Sequence, residues 1–171
     1  MRVRRARAPI QVAAGERLLA WAEADSGALV GGTRDALYVA EQVTGSPGPA
    51  ETRIPWEQVE SADWDKDASV LRVSEVGSWG ERRPEHAFTI DEPGRLLELV
   101  RERVTASVVL QRHVALQGKR GVRVIARRAP RGDRPLQWVY EYDEGIDPDD
   151  PFVQHAAAEA LAAARDEVGP A

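Results

Sequence analysis

Between residues 119 and 134 the chain carries Lys119, Arg120, Arg123, Arg127, Arg128, Arg131 and Arg134 against the single acid Asp133. A guanidinium fork matches two phosphate or carboxylate oxygens at once. Arg120, Arg123, Arg127, Arg128 and Arg131 are therefore candidate contacts for phosphate, nucleic acid or an acidic partner. A phosphate-binding surface would announce itself as a salt-dependent affinity. Single-stranded nucleic acid also needs exposed aromatics beside the basic groove. Trp138 and Tyr140 are nearby, but the strand pattern places them on the opposite face. The competing reading is an arginine–carboxylate surface laced by Glu141, Asp143 and Glu144, and it is the favoured one.

The remaining chemistry-bearing residues read as structural. Glu141, Asp143, Glu144, Asp147, Asp149 and Asp150 form an acidic run without a base. The run lacks the ligand spacing of a calcium loop, contains Pro148 and is followed by Pro151, so it reads as a turn and a helix cap. His86, His113 and His155 have no partner at metal-ligand spacing. No Gly-x-Ser-x-Gly elbow occurs, and Gly31-Gly32-Thr33 is not followed by Lys-Ser/Thr, so it reads as a tight turn between strands. Glu57 and Glu60 read as a solvated strand face. Cysteine is absent, which excludes disulfides, thiolate metal sites and cysteine nucleophiles. The expectation is a protein with no catalytic residue, metal or cofactor.

These residues must be positioned by short strands and two helices. Leu18 to Ala24, Ala28 to Gly32, Ala36 to Ala40, 53–64, Ser69 to Glu75 and His86 to Asp91 read as strands, the fourth of them bent and bulged. The segment 44–49, Thr-Gly-Ser-Pro-Gly-Pro, is a loop, as is the stretch around Gly77 and Gly80. From Glu92 to about Val114 the period becomes helical, with Leu97, Val100, Val104 and Val108 on one stripe. A hairpin follows, centred on Gly132-Asp133, that opposes Val124 to Tyr140, Ala126 to Trp138 and Arg123 to Glu141. The end is an alanine-rich helix capped by Asp150 and Pro151 and stopped by Gly169-Pro170, with Val153, Ala157, Leu161, Ala164 and Val168 as its buried stripe.

The 171 residues suit one domain with an appendage, and a chain of this length buries roughly 70% of its unfolded surface. A hydrophobic fraction of 43% and a charged fraction of 30% are those of a globular protein. The net charge of −5 is segregated into basic and acidic patches, with Arg2, Arg4, Arg5 and Arg7 as a further basic stretch. Such segregation points to polar partners or self-association. Glu16 and Arg17 interrupt the only apolar candidate for a signal segment, and no run is long enough to span a membrane. The expected location is the cytoplasm.

Residues 15 to about 115 resemble the pleckstrin-homology-like (PH-like) domains of bacterial, especially actinobacterial, proteins. The resemblance rests on Gly15-Glu16-Arg17-Leu18-Leu19, on 32–39 (Gly-Thr-Arg-Asp-Ala-Leu-Tyr-Val), on 53–59 (Arg-Ile-Pro-Trp-Glu-Gln-Val), on Leu71-Arg72-Val73 and on the helix that follows. It implies an α+β fold: an antiparallel β-sandwich or partly open barrel in residues 1–117, closed by one long helix. Residues 118–171 would add the hairpin and C-terminal helix, docked on it. It also implies a protein-binding module. Phosphoinositide binding would need basic residues in the first hairpin, but residues 23–30 hold Glu23 and Asp25 and no base. The ranking is a protein-interaction or self-associating module first, nucleic-acid or ribosome association second, and an enzyme last.

Overall fold

The structure is a computed structural model that describes residues 9–77 and 83–170. Arg2, Arg4, Arg5, Arg7 and Gly80 lie outside the described residues. Among the described residues the chain is α+β, with ten strands in three antiparallel sheets, two α-helices and one 3-10 turn; the sheets do not close into a barrel. Two compact units divide between Thr105 and Ala106, not at the expected 117/118.

In the first unit, β1 (Ala20–Glu23), β2 (Leu29–Gly32), β3 (Ala36–Glu41) and β4 (Ala50–Pro55) form a sheet in chain order. A second sheet holds β5 (Val59–Asp65), β6 (Val70–Glu75) and β7 (Glu85–Thr89). The bent strand expected over 53–64 is instead two strands joined by a 3-10 turn, Trp56–Gln58, with a bulge at the start of β5. Pro55 cannot donate to a ladder, and the Trp56 indole N–H bonds the Thr33 carbonyl at 3.0 Å, which pins the turn. The turn also breaks the two-residue alternation, so Glu57 is buried rather than solvated. The core joins Val30, Leu37 and Ile54 to Leu71, Val73 and Phe88, with Trp56 and with Leu96 and Val100 of α1 (Leu96–Ser107). Each such burial is worth about 1.5–3 kcal/mol, before the entropy of ordering the chain.

Gly31 and Gly32 lie inside β2 and not in a turn, which falls at residues 33–35. Their absent side chains are the point. A Cβ on Gly32 would stand 2.7 Å from Leu99 Cδ2, and one on Gly31 2.7 Å from Ile10 Cδ1. Both faces of β2 are therefore packed against other parts of this unit.

The second unit departs most from expectation. Helix α1 stops at Ser107, and Val108–Gln117 is a strand, β8. It pairs with β9 (Arg120–Arg127), which pairs with β10 (Gln137–Tyr142), giving the order β10-β9-β8. The β9–β10 register is the expected one, with Tyr140 opposite Val124, Trp138 opposite Ala126 and Glu141 opposite Arg123. An isolated two-stranded hairpin is marginal in water, and β8 supplies a third strand. The gain in pairing overrides a helical stripe that ends in the strand-favouring Val108-Val109.

Helix α2 (Pro151–Val168) packs on β8 and β9 through Val153, Ala157 and Ala164, with Leu161 and Val168 half-buried. Asp150 caps it by accepting the Phe152 N–H at 2.8 Å, and the Gly169 N–H closes the last turn on the Arg165 carbonyl. Asp150→Ala is expected to lower stability by about 1 kcal/mol, read as a downward shift in the thermal midpoint. A variant as stable as the parent would show that the cap does nothing.

Candidate functional site

Strand β9 lies in the middle of its sheet, so Arg123, Ile125 and Arg127 share one face. Arg127 is only 3% exposed and donates from Nη1 to Ser107 Oγ at 3.1 Å. Arg123 is half-buried, with Glu141 directly opposite it and 3.5 Å away. Arg120, Arg128 and Arg131 are exposed, but Arg120 opens β9 while the other two follow its far end. The rise of a strand separates those ends by more than about 20 Å. The five arginines therefore do not form one patch. Trp138 and Tyr140 lie on the sheet face that carries α2, and the Arg165 guanidinium sits 5.9 Å from the Trp138 ring centroid.

The acidic run is used locally. Asp143 Oδ2 accepts the Gly121 N–H at 2.7 Å and lies 2.7 Å from His113 Nε2. The His113 bond, followed by that of Gly121, holds the Asp143 carboxyl below its ordinary range. Asp147 Oδ1 accepts the Asp149 N–H at 2.9 Å. His86 lies 2.7 Å from Glu75, and His155 lies 3.4 Å from Glu159. The three histidines thus meet three different carboxylates.

Among the described residues, a dense cluster of polar side chains lies in the first unit. Glu16 Oε2 accepts from Tyr38 OH at 2.7 Å and from Thr33 Oγ1 at 2.9 Å. Glu16 Oε1 accepts from Arg53 through Nε at 3.0 Å and through Nη2. Tyr38 OH in turn accepts the Ala13 N–H at 3.0 Å. Burial pushes the Glu16 carboxyl up, but the bonds from Tyr38, Arg53 and Thr33 outweigh it and hold the group below its ordinary value. Burial and the neighbouring carboxylate push the Tyr38 phenol up. Every oxygen of Glu16 is occupied, so the cluster is a clasp between β-strands and loops rather than a site open to substrate.

One open surface of this unit is the edge of β1. Ala24 N–H donates to the Ala28 carbonyl at 2.8 Å, closing the β1–β2 hairpin. The alternation of an antiparallel pair then turns the backbone N–H and C=O of Trp21 and Glu23 away from β2. Asp25 N–H, next in that row, donates to the Thr89 carbonyl at 2.8 Å. Leu19 is 45% exposed and Trp21 48%. Two clefts follow one another along β1. The first, about 300 Å³, is lined by Arg17, Leu19, Arg95, Glu98, Leu99 and Arg103 among others. The second, about 590 Å³, is lined by Trp21, Glu23, Asp25, Asp91, Glu92 and the alanines between. Its charged lining residues are all acids.

No protein-family model matches the chain, and no curated protein is significantly similar to it. The site must be read from its own geometry. Sequence reasoning read Leu18 to Ala24 as a strand and gave Trp21 no role in a site. The signal that could have corrected it is the parity of the strand: Ala22 and Ala24 point into the core, which leaves Trp21 and Glu23 outside. Among the described residues no helix is long and apolar enough to cross a membrane.

Proposed function

We propose that the chain is a non-enzymatic protein-interaction module of the PH-like type, acting in the cytoplasm. The reading is supported by the first unit's element order, a four-stranded sheet, a three-stranded sheet and then a helix. That is the arrangement implied by the resemblance of residues 15–115. The observation that carries the proposal is the exposed pair Leu19, just before β1, and Trp21, on the β1 edge that pairs with no further strand among the described residues, both beside clefts. Single exposed apolar residues are ordinary; apolar residues lining a groove beside free backbone groups mark an interaction surface. The lack of cysteine fits a reducing compartment.

Nucleic-acid contact is the second reading, and it rests on the exposure of Arg120, Arg128 and Arg131. The burial of Arg127 and the pairing of Arg123 work against it. A pull-down from native lysate with and without nuclease separates the two. Under the module reading a defined protein partner survives nuclease treatment, and the triple change Arg120→Glu, Arg128→Glu and Arg131→Glu leaves its recovery unchanged. Loss of the recovered material on nuclease treatment, and in the triple variant, would overturn the module in favour of nucleic acid.

A further inference from the structure

We infer that the edge of β1 receives an extended segment of a partner protein, and that this segment carries an arginine or lysine seated between Trp21 and the carboxylates of Asp25, Asp91 and Glu92. The inference rests on the module reading and names the surface and the partner chemistry.

Three independent features converge on it. The first is backbone. Trp21 and Glu23 turn their N–H and C=O groups out from the hairpin, and among the described residues β1 pairs with no strand but β2. An added strand satisfies such groups, and its alternate side chains then fall into whatever pockets flank the edge. The second is shape. The two clefts succeed one another along β1, with Leu19 in one and Trp21 in the other, so an extended chain laid on the edge meets both. The third is charge. The cleft at the Trp21 end has Glu23, Asp25, Asp91 and Glu92 in its lining and no base. A cation placed there meets an acidic lining beside the Trp21 side chain, a combination that suits guanidinium or ammonium and repels phosphate. The cleft at the Leu19 end is different: Arg17, Arg95 and Arg103 stand among Glu98 and Glu102, and Arg103 Nε is buried without a hydrogen-bond partner. The surface is thus polar along its length, which fixes the direction in which a charged segment can lie.

The test is fluorescence anisotropy on the full chain with three labelled probes: a short peptide alternating valine and arginine, the same peptide with glutamate for arginine, and the arginine peptide N-methylated at alternate residues. The arginine peptide is expected to bind at least about tenfold more tightly than the glutamate peptide. N-methylation, which removes the ladder donors, is expected to weaken it by about tenfold or more. Asp91→Asn combined with Glu92→Gln should weaken the arginine peptide by a similar factor and narrow the preference, while thermal unfolding stays that of the parent. Trp21→Ala should weaken both ends of the comparison. Equal affinity for arginine and glutamate peptides, no binding by either, or an unchanged Asp91/Glu92 variant would overturn the assignment. If the peptides fail while a nuclease-resistant protein partner is still recovered, the groove falls and the module stands. If no protein partner is recovered either, both fall.

Discussion

Replacing Gly121 by alanine is expected to destabilise the second unit by about 3 kcal/mol or more, although the change adds only one methyl group. In most strand positions the same substitution is neutral or favourable, because alanine loses less backbone entropy than glycine on folding. Here the new Cβ would fall on the carbonyl oxygen of Val114, 2.7 Å from the carbon of that group and 2.9 Å from Ala115 Cα. All three are backbone atoms of the paired strand β8, so no rotamer change relieves the clash. The strand must move, and Gly121 is also where the Asp143 carboxylate and amide are bound, at 2.7 and 3.0 Å. Moving β8 disturbs the ladder near its bulge at 115–117 and the node that ties His113 and Asp143 to the turn. Gly118→Ala is the control. Its φ of 61° carries the left-handed strain of any alanine, about 1–2 kcal/mol, but nothing lies within 4 Å of its Cβ. Urea unfolding of the two variants should therefore rank Gly121→Ala as clearly the worse, with loss of amide protection concentrated in residues 108–142. Stability within about 0.5 kcal/mol of the parent would mean that β8 and β9 do not approach as closely as the structure has them.

The same strand shows how far the sequence could be read. The β9–β10 register was legible because two signals agreed: period-two alternation, and a charge match that sets Arg123 against Glu141. The end of α1 was not legible. Val100, Val104 and Val108 fit a helical stripe, while Val108, Leu110, Val114 and Leu116 fit a strand equally well, and only the presence of β9 as a partner decides between them. Pairing is a non-local fact, and composition does not contain it. The burial of Arg127 was hidden for a related reason. Alternation correctly put Arg123 and Arg127 on one face, but a face says nothing of what stands over it, and Arg127 is buried. The β1 groove combines residues near 20 with residues near 91 and 99, so its shape depends on two sheets and a helix being in place. What the sequence did display was the acidity of the first hairpin, which argued against phosphoinositides and underlies the cation preference proposed for the groove.

Glu16→Gln is expected to cost about 2 kcal/mol at neutral pH, and Glu16→Ala about 3. The glutamate side chain is 6% exposed, while its partner Arg53 is 35% exposed. When the carboxylate is removed, Arg53 can turn to water, which keeps the penalty below that of a fully buried pair. Thr33 and Tyr38 lose a charged acceptor but keep other partners: Thr33 Oγ1 still receives the N–H groups of Asp35 and Ala36, and Tyr38 OH that of Ala13. The effect of pH follows from the direction of the Glu16 shift. Its folded-state pKa is below the unfolded one, so the contribution is complete above the ordinary glutamate range and is lost as pH falls through the lower, folded value. The stability gap between parent and Glu16→Gln should therefore close on acidification. Other carboxylates held low in the fold, Asp143 among them, are common to both proteins and cancel in the difference. A double-mutant cycle with Arg53→Met measures the ion pair apart from the hydroxyl bonds. A gap that stays constant between neutral and strongly acidic pH would show that Glu16 acts only by packing. Glu16, Thr33, Tyr38 and Arg53 all lie in the stretches that carry the resemblance to PH-like domains, so a clasp that opens with acid would make those residues determinants of folding rather than of binding. The groove, with Trp21 and Asp91 outside the clasp, is then the part of the unit free to differ from one partner to the next.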